Sequence, residues 1–76
     1  MKTNFLVIER EKEAFEFVNV NTFENKDDAY RSMTELYNEL NACDSVVNAV
    51  ICDNYAEIEL NDGNIVRWDI KQIQSA

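Results

Sequence analysis

Glu57 and Glu59 stand two residues apart in the stretch Tyr-Ala-Glu-Ile-Glu-Leu, residues 55–60, and Cys43 and Cys52 stand further back in the chain. These four side chains come closest to a reactive arrangement. A carboxylate pair can divide acid and base roles between its members. A thiol pair can exchange electrons or ligate a metal. The partners such chemistry needs are missing. The chain has no histidine, which removes the commonest general base and every Ser-His or Cys-His couple. Two cysteines without histidine do not complete a zinc site. One glycine is too few for the loops that cradle phosphates. Asp53-Asn54 and Asn61-Asp62-Gly63-Asn64 lack the twelve-residue spacing and terminal glutamate of a calcium loop. Carboxylates at i and i+2 of a strand project from one face about 6.8 Å apart. On an exposed strand that pattern solubilises, and a small domain rarely has a deep pocket. The reading is a non-catalytic protein with no metal and no cofactor. The cysteines lie outside any C-x-x-C pattern, and they read as reduced thiols buried like small apolar side chains.

The elements that would position these residues follow from periodicity. Phe5-Leu6-Val7-Ile8 is a short apolar run and predicts a strand. Glu9 to Glu13 is charged and predicts a turn, and Ala14 to Phe23 predicts a second strand, closing an N-terminal hairpin. Asn25 suits a helix N-cap, with Asp27 and Asp28 in a first turn that favours negative charge. Ala29, Met33, Leu36, Tyr37 and Leu40 then line one face of an amphipathic helix from Lys26 to Ala42. Asp27–Arg31 and Arg31–Glu35 have i,i+4 spacing on its outer side. Val46–Cys52, Tyr55–Leu60 and Ile65–Ile73 predict three further strands. The expected fold class is α+β: an antiparallel sheet of about five strands, in the order ββαβββ, with one helix packed on one face. Seventy-six residues form one small domain, residues 1–76, with a thin stability margin.

Asp62-Gly63 sets a question of register. A two-residue turn would place Arg67 with Ile58 and Trp68 with the glutamates. A three-residue loop, Asn61-Asp62-Gly63, pairs Leu60 with Asn64, Ile58 with Val66 and Ala56 with Trp68, and puts Gly63 in the left-handed position of a bulge. This second register collects the large apolar side chains on one face, and a one-residue slip would turn them all outward. The opposite face then carries Tyr55, Glu57, Glu59, Asp69, Arg67 and Ile65, a mainly acidic surface. Met33, Tyr37 and Trp68 read as core. Tyr30 and Tyr55, at the edges of their apolar patterns, read equally as core edge or as contact residues. Because one helix covers one face of a sheet, the apolar residues left on the other face imply either a partner or second copy, or a twist strong enough to bury them.

The charge balance bounds the partners. Fifteen acidic residues stand against seven basic ones, a net charge of −8. The excess is even along the chain: five acids against three bases in residues 1–24, five against two in 25–45 and five against two in 46–76. Nucleic acid and anionic lipid require clustered cations, so direct nucleic-acid binding and membrane binding are not expected. No apolar run approaches a membrane-spanning length, and no basic stretch precedes a long apolar one, so a cytoplasmic location is expected. In size, charge, scarcity of cysteine and mixed α+β pattern, the whole chain resembles the small acidic proteins of phages and mobile elements, including anti-restriction and anti-CRISPR proteins. The resemblance carries no motif and assigns no residue. It implies an inhibitor that occupies a cationic surface on a host protein that handles nucleic acid. The surface expected to serve such a protein partner comprises Tyr55, Glu57, Glu59 and Asp69, with the helix acids Asp28, Glu35 and Glu39 second. The alternative is a small regulatory or assembly module that forms a homodimer through its open sheet face.

Overall fold

The structure is a computed structural model that describes residues 2–11 and 17–75. Five strands and a helix follow in the order β1 Lys2–Glu11, β2 Phe17–Phe23, α1 Lys26–Asn41, β3 Val46–Ile51, β4 Tyr55–Leu60 and β5 Ile65–Ser75. The strands form one sheet in the order β2-β1-β5-β4-β3, and every pairing is antiparallel. The α+β architecture, the ββαβββ sequence and the single packed helix agree with the expectation. Among the described residues no helix is long and apolar enough to cross a membrane.

The helix joins β2 and β3, the two edge strands, so it crosses the whole sheet. Its sixteen residues span about 24 Å at 1.5 Å per residue, enough to cover five strands spaced about 4.8 Å apart. Asn25 caps it as expected: its backbone is extended, and its side-chain oxygen accepts the Asp28 N–H at 2.9 Å. Arg31 reaches Asp28, three residues back, at 3.9 Å in place of the expected i,i+4 partners.

The core lies between α1 and the sheet. Val7, Ala29, Met33, Ala56, Ile58, Val66 and Trp68 are buried there, with Phe5, Leu36, Tyr37 and Leu40 packed around them. Met33 and Trp68 are core residues, as read from their spacing, while Tyr37 is half-buried at the margin. The β4–β5 hairpin has the three-residue loop. Ala56 faces Trp68, Ile58 faces Val66 and Glu57 faces Arg67. Leu60 N–H donates to the Asn64 carbonyl at 2.9 Å and Gly63 N–H to the Leu60 carbonyl at 3.0 Å. Gly63 has φ +89°, a conformation that costs a residue with a Cβ.

Three expectations are corrected. Glu9 to Glu11 continue β1 instead of turning, because this segment pairs residue for residue with β5, Glu9 facing Trp68 and Glu11 facing Val66. That pairing reaches far along the chain, and no local charge pattern announces it; residues 12–16, including the remainder of the expected turn and the start of the expected second strand, lie outside the described residues. β5 runs on to Ser75 for the same reason. Both cysteines are free thiols, and neither is buried: Cys43 is exposed and Cys52 half-buried. Cys43 follows the helix C-cap, Ala42, where the chain has left the packed face.

Candidate functional site

Alternation along the strands divides the charged residues between two sides. On the open sheet face, β4 presents Tyr55, Glu57 and Glu59 opposite Asp69, Arg67 and Ile65 of β5. Lys71 of β5 and Arg10 of β1, which faces Arg67, share this side. Among the described side chains three carboxylates therefore meet three cations, and the face expected to be mainly acidic is balanced. Arg67 is its hub. Its Nη1 donates to Glu57 Oε2 at 3.0 Å and its Nε to Asp69 Oδ2 at 3.1 Å, and its guanidinium carbon sits 4.6 Å from the centre of the Tyr55 ring. The hydrogen bond to Asp69 raises the Arg67 pKa; burial works against it, and the hydrogen bond to Glu57 adds to the rise. The Tyr55 phenol is also raised above its ordinary value, first by the neighbouring Cys52 thiol, despite the lowering influence of Arg67. Glu57, Asp69 and Tyr55 are thus already engaged with a cation of their own chain.

The helix side is different. Asp27, Asp28, Glu35 and Glu39 are all exposed on α1, whose basic residues are Lys26 and Arg31. Glu9 and Glu11 join them from the sheet, because they share the covered face with Trp68 and Val66. Among the described residues six carboxylates and two cations make this the charged side of the molecule. The structure therefore separates the expected contact residues: Tyr55, Glu57, Glu59 and Asp69 lie on one side, Asp28, Glu35 and Glu39 on the other. Glu35 and Glu39 also border a shallow hollow on the helix flank, with Ser32 and Asn38.

At the C-terminal end of α1 the helix and sheet part to leave an open cleft of about 360 Å³. Leu40, Leu60, Val66 and Trp68 form its apolar floor, and Glu9, Glu11 and Glu39 stand around it. Glu9 is held in place by Trp68, whose indole Nε1–H donates to Glu9 Oε1 at 2.8 Å. Asn64, in the wall, has a side-chain oxygen that is buried without a hydrogen-bond partner among the described residues. Glu9 and Glu11 were not among the expected contact residues. The signal that could have found them was the alternation of Val7, Glu9 and Glu11, which places the two acids in line with a core valine.

The chain matches no protein-family model, and no curated protein or solved structure is significantly similar to it.

Proposed function

We propose that this protein is a non-catalytic, acidic protein-binding module that works as an inhibitor, occupying a cationic surface on a protein that handles nucleic acid. The observation that carries the reading is the segregation of charge: among the described residues the helix side sets six carboxylates against two cations, while on the sheet face Arg67, Lys71 and Arg10 match Glu57, Glu59 and Asp69. A one-signed surface steers a basic partner and raises its rate of encounter. The working surface in this reading is the helix side, with Asp28, Glu35 and Glu39, and Glu57, Glu59 and Asp69 are secondary. This is the role implied by the resemblance to phage and mobile-element inhibitors. The test is capture of partners from a nuclease-treated bacterial lysate at low and high salt, with two reversal variants. Glu35→Lys with Glu39→Lys should abolish low-salt capture, and Glu57→Lys with Glu59→Lys should reduce it less. Equal capture by all variants at both salts would refute the reading.

A second reading is favoured by one observation. Val20, Val50 and Ile73, exposed by 46%, 43% and 41%, all project from the open sheet face. A homodimer through that face would cover them. Light scattering at micromolar concentration decides it: a monomer there removes the dimer.

A further inference from the structure

We infer that the cleft at the C-terminal end of α1 receives a single arginine side chain from a basic segment of the partner protein; this rests on the proposed function and names what the acidic side grips. The shape and the chemistry of the cleft agree on such an occupant. Its floor is apolar, from Leu40, Leu60 and Val66, and suits the methylene stem of a long side chain. Its surroundings are anionic: Glu9, Glu11 and Glu39 border it, and no cation does so among the described residues. The last turn of α1, which flanks it, carries no basic residue, so the negative end of the helix dipole has no cation of its own to offset it. The three carboxylates are not gathered closely enough to hold a metal ion, and this favours an extended cation with several donors over a point charge. A guanidinium has five N–H donors in a rigid fork and is more weakly hydrated than an ammonium, so it enters a half-apolar cleft at lower cost. Glu9 Oε1 is taken by Trp68, and its other oxygen is available to the ligand. Asn64 gains as well: a buried acceptor without a donor is costly, and a turn of its side chain toward the cleft would bring it one.

On the sheet face, Arg67 fills the role that the proposed ligand would play, lying between Glu57 and Asp69 over Tyr55. The molecule thus shows, on its other side, how its carboxylates hold a guanidinium.

The test titrates isotopically labelled protein with a short arginine-rich peptide and with its lysine counterpart at low salt, followed by amide and indole resonances. The expected result is saturable binding of the arginine peptide, with the Trp68 indole N–H and the Asn64 side-chain amide shifting most. Glu11→Gln and Glu39→Gln should each weaken it about five-fold, the scale of a partly exposed ion pair, and Asp53→Asn, at an exposed position in the β3–β4 turn, should leave it unchanged. Equal binding of the lysine peptide overturns the arginine assignment. Binding that maps to the helix flank and ignores Glu11→Gln and Glu39→Gln overturns the cleft while leaving the acidic-module reading intact. Failure of both peptides to bind, alongside failure of the lysate capture, overturns both.

Discussion

Removing the Glu9 side chain should expose how much of this small core depends on one polar contact. Trp68 is 1% exposed, and its indole N–H has Glu9 Oε1 as acceptor at 2.8 Å. Glu9→Ala leaves that donor inside the core margin without a partner. A hydrogen bond to a charged acceptor contributes about 1.5–3 kcal/mol. Because Glu9 borders an open cleft, water can partly replace it, which points to the lower end, about 1.5–2 kcal/mol. With an unfolding entropy of about 2.1 cal/mol/K per residue, a chain of this size loses about 6 °C in Tm per kcal/mol, so Tm should fall by about 10–12 °C. Glu9→Gln keeps a carbonyl acceptor and should lose less than half as much. Thermal unfolding followed by circular dichroism and by the fluorescence of the single tryptophan gives both numbers. A double-mutant cycle with Trp68→Phe then isolates the pair. A Glu9→Ala protein within about 0.5 kcal/mol of the parent, or a cycle with no coupling, would refute the assignment of Glu9 as the partner that holds Trp68.

Other substitutions probe the remaining elements. Gly63→Ala should cost about 1 kcal/mol in thermal unfolding through the positive φ alone, since a Cβ there meets nothing within 4 Å; Gly63→Asn, which tolerates this region better, should cost less. Asn25→Ala should lose about 1 kcal/mol by the same assay, and Asn25→Asp, which keeps an acceptor but turns a second carboxylate toward Asp28, should fall between parent and alanine. Folding favours the protonated Tyr55 phenol, so its contribution to stability is complete below pH 10.0 and declines as pH rises from there through the raised folded value. Denaturant titrations at several pH values above 10 should therefore show a shallower decline for Tyr55→Phe than for the parent.

Local pattern was enough for the elements whose determinants are close in sequence. The β4–β5 register follows from Asp62-Gly63 and the alternation on either side, and the helix start follows from Asn25 with Asp27 and Asp28. The strand order did not follow, because it rests on β1 meeting β5. Glu9 illustrates the difficulty: it reads as one member of a charged run, and its meaning comes from Trp68 across the sheet. The surface was harder to read for the same reason. Glu57 and Glu59 look like the start of an acidic face until Arg10 arrives beside Arg67 from a distant strand. Cys43 was misplaced because cysteine's apolar character gives no information on where the helix ends.

The seam between β1 and β5 also governs how the molecule can be assembled. Lys2 pairs with Ser75 and Glu11 with Val66, so the central contact of the sheet joins the most distant parts of the described chain. The other strand pairings are local: β1 with β2, β3 with β4, and β4 with β5. Each local piece has an open edge, and α1 needs the floor from both pieces beneath it. The seam therefore forms by closing one long loop, a step whose entropy cost favours slow, concerted folding over stepwise growth. It also marks a natural line of division. A chain opened at Cys43-Asp44-Ser45, between α1 and β3, would become two fragments with matching edges. Their reunion along β1 and β5, roofed by the helix, would rebuild the sheet without a covalent link between its halves.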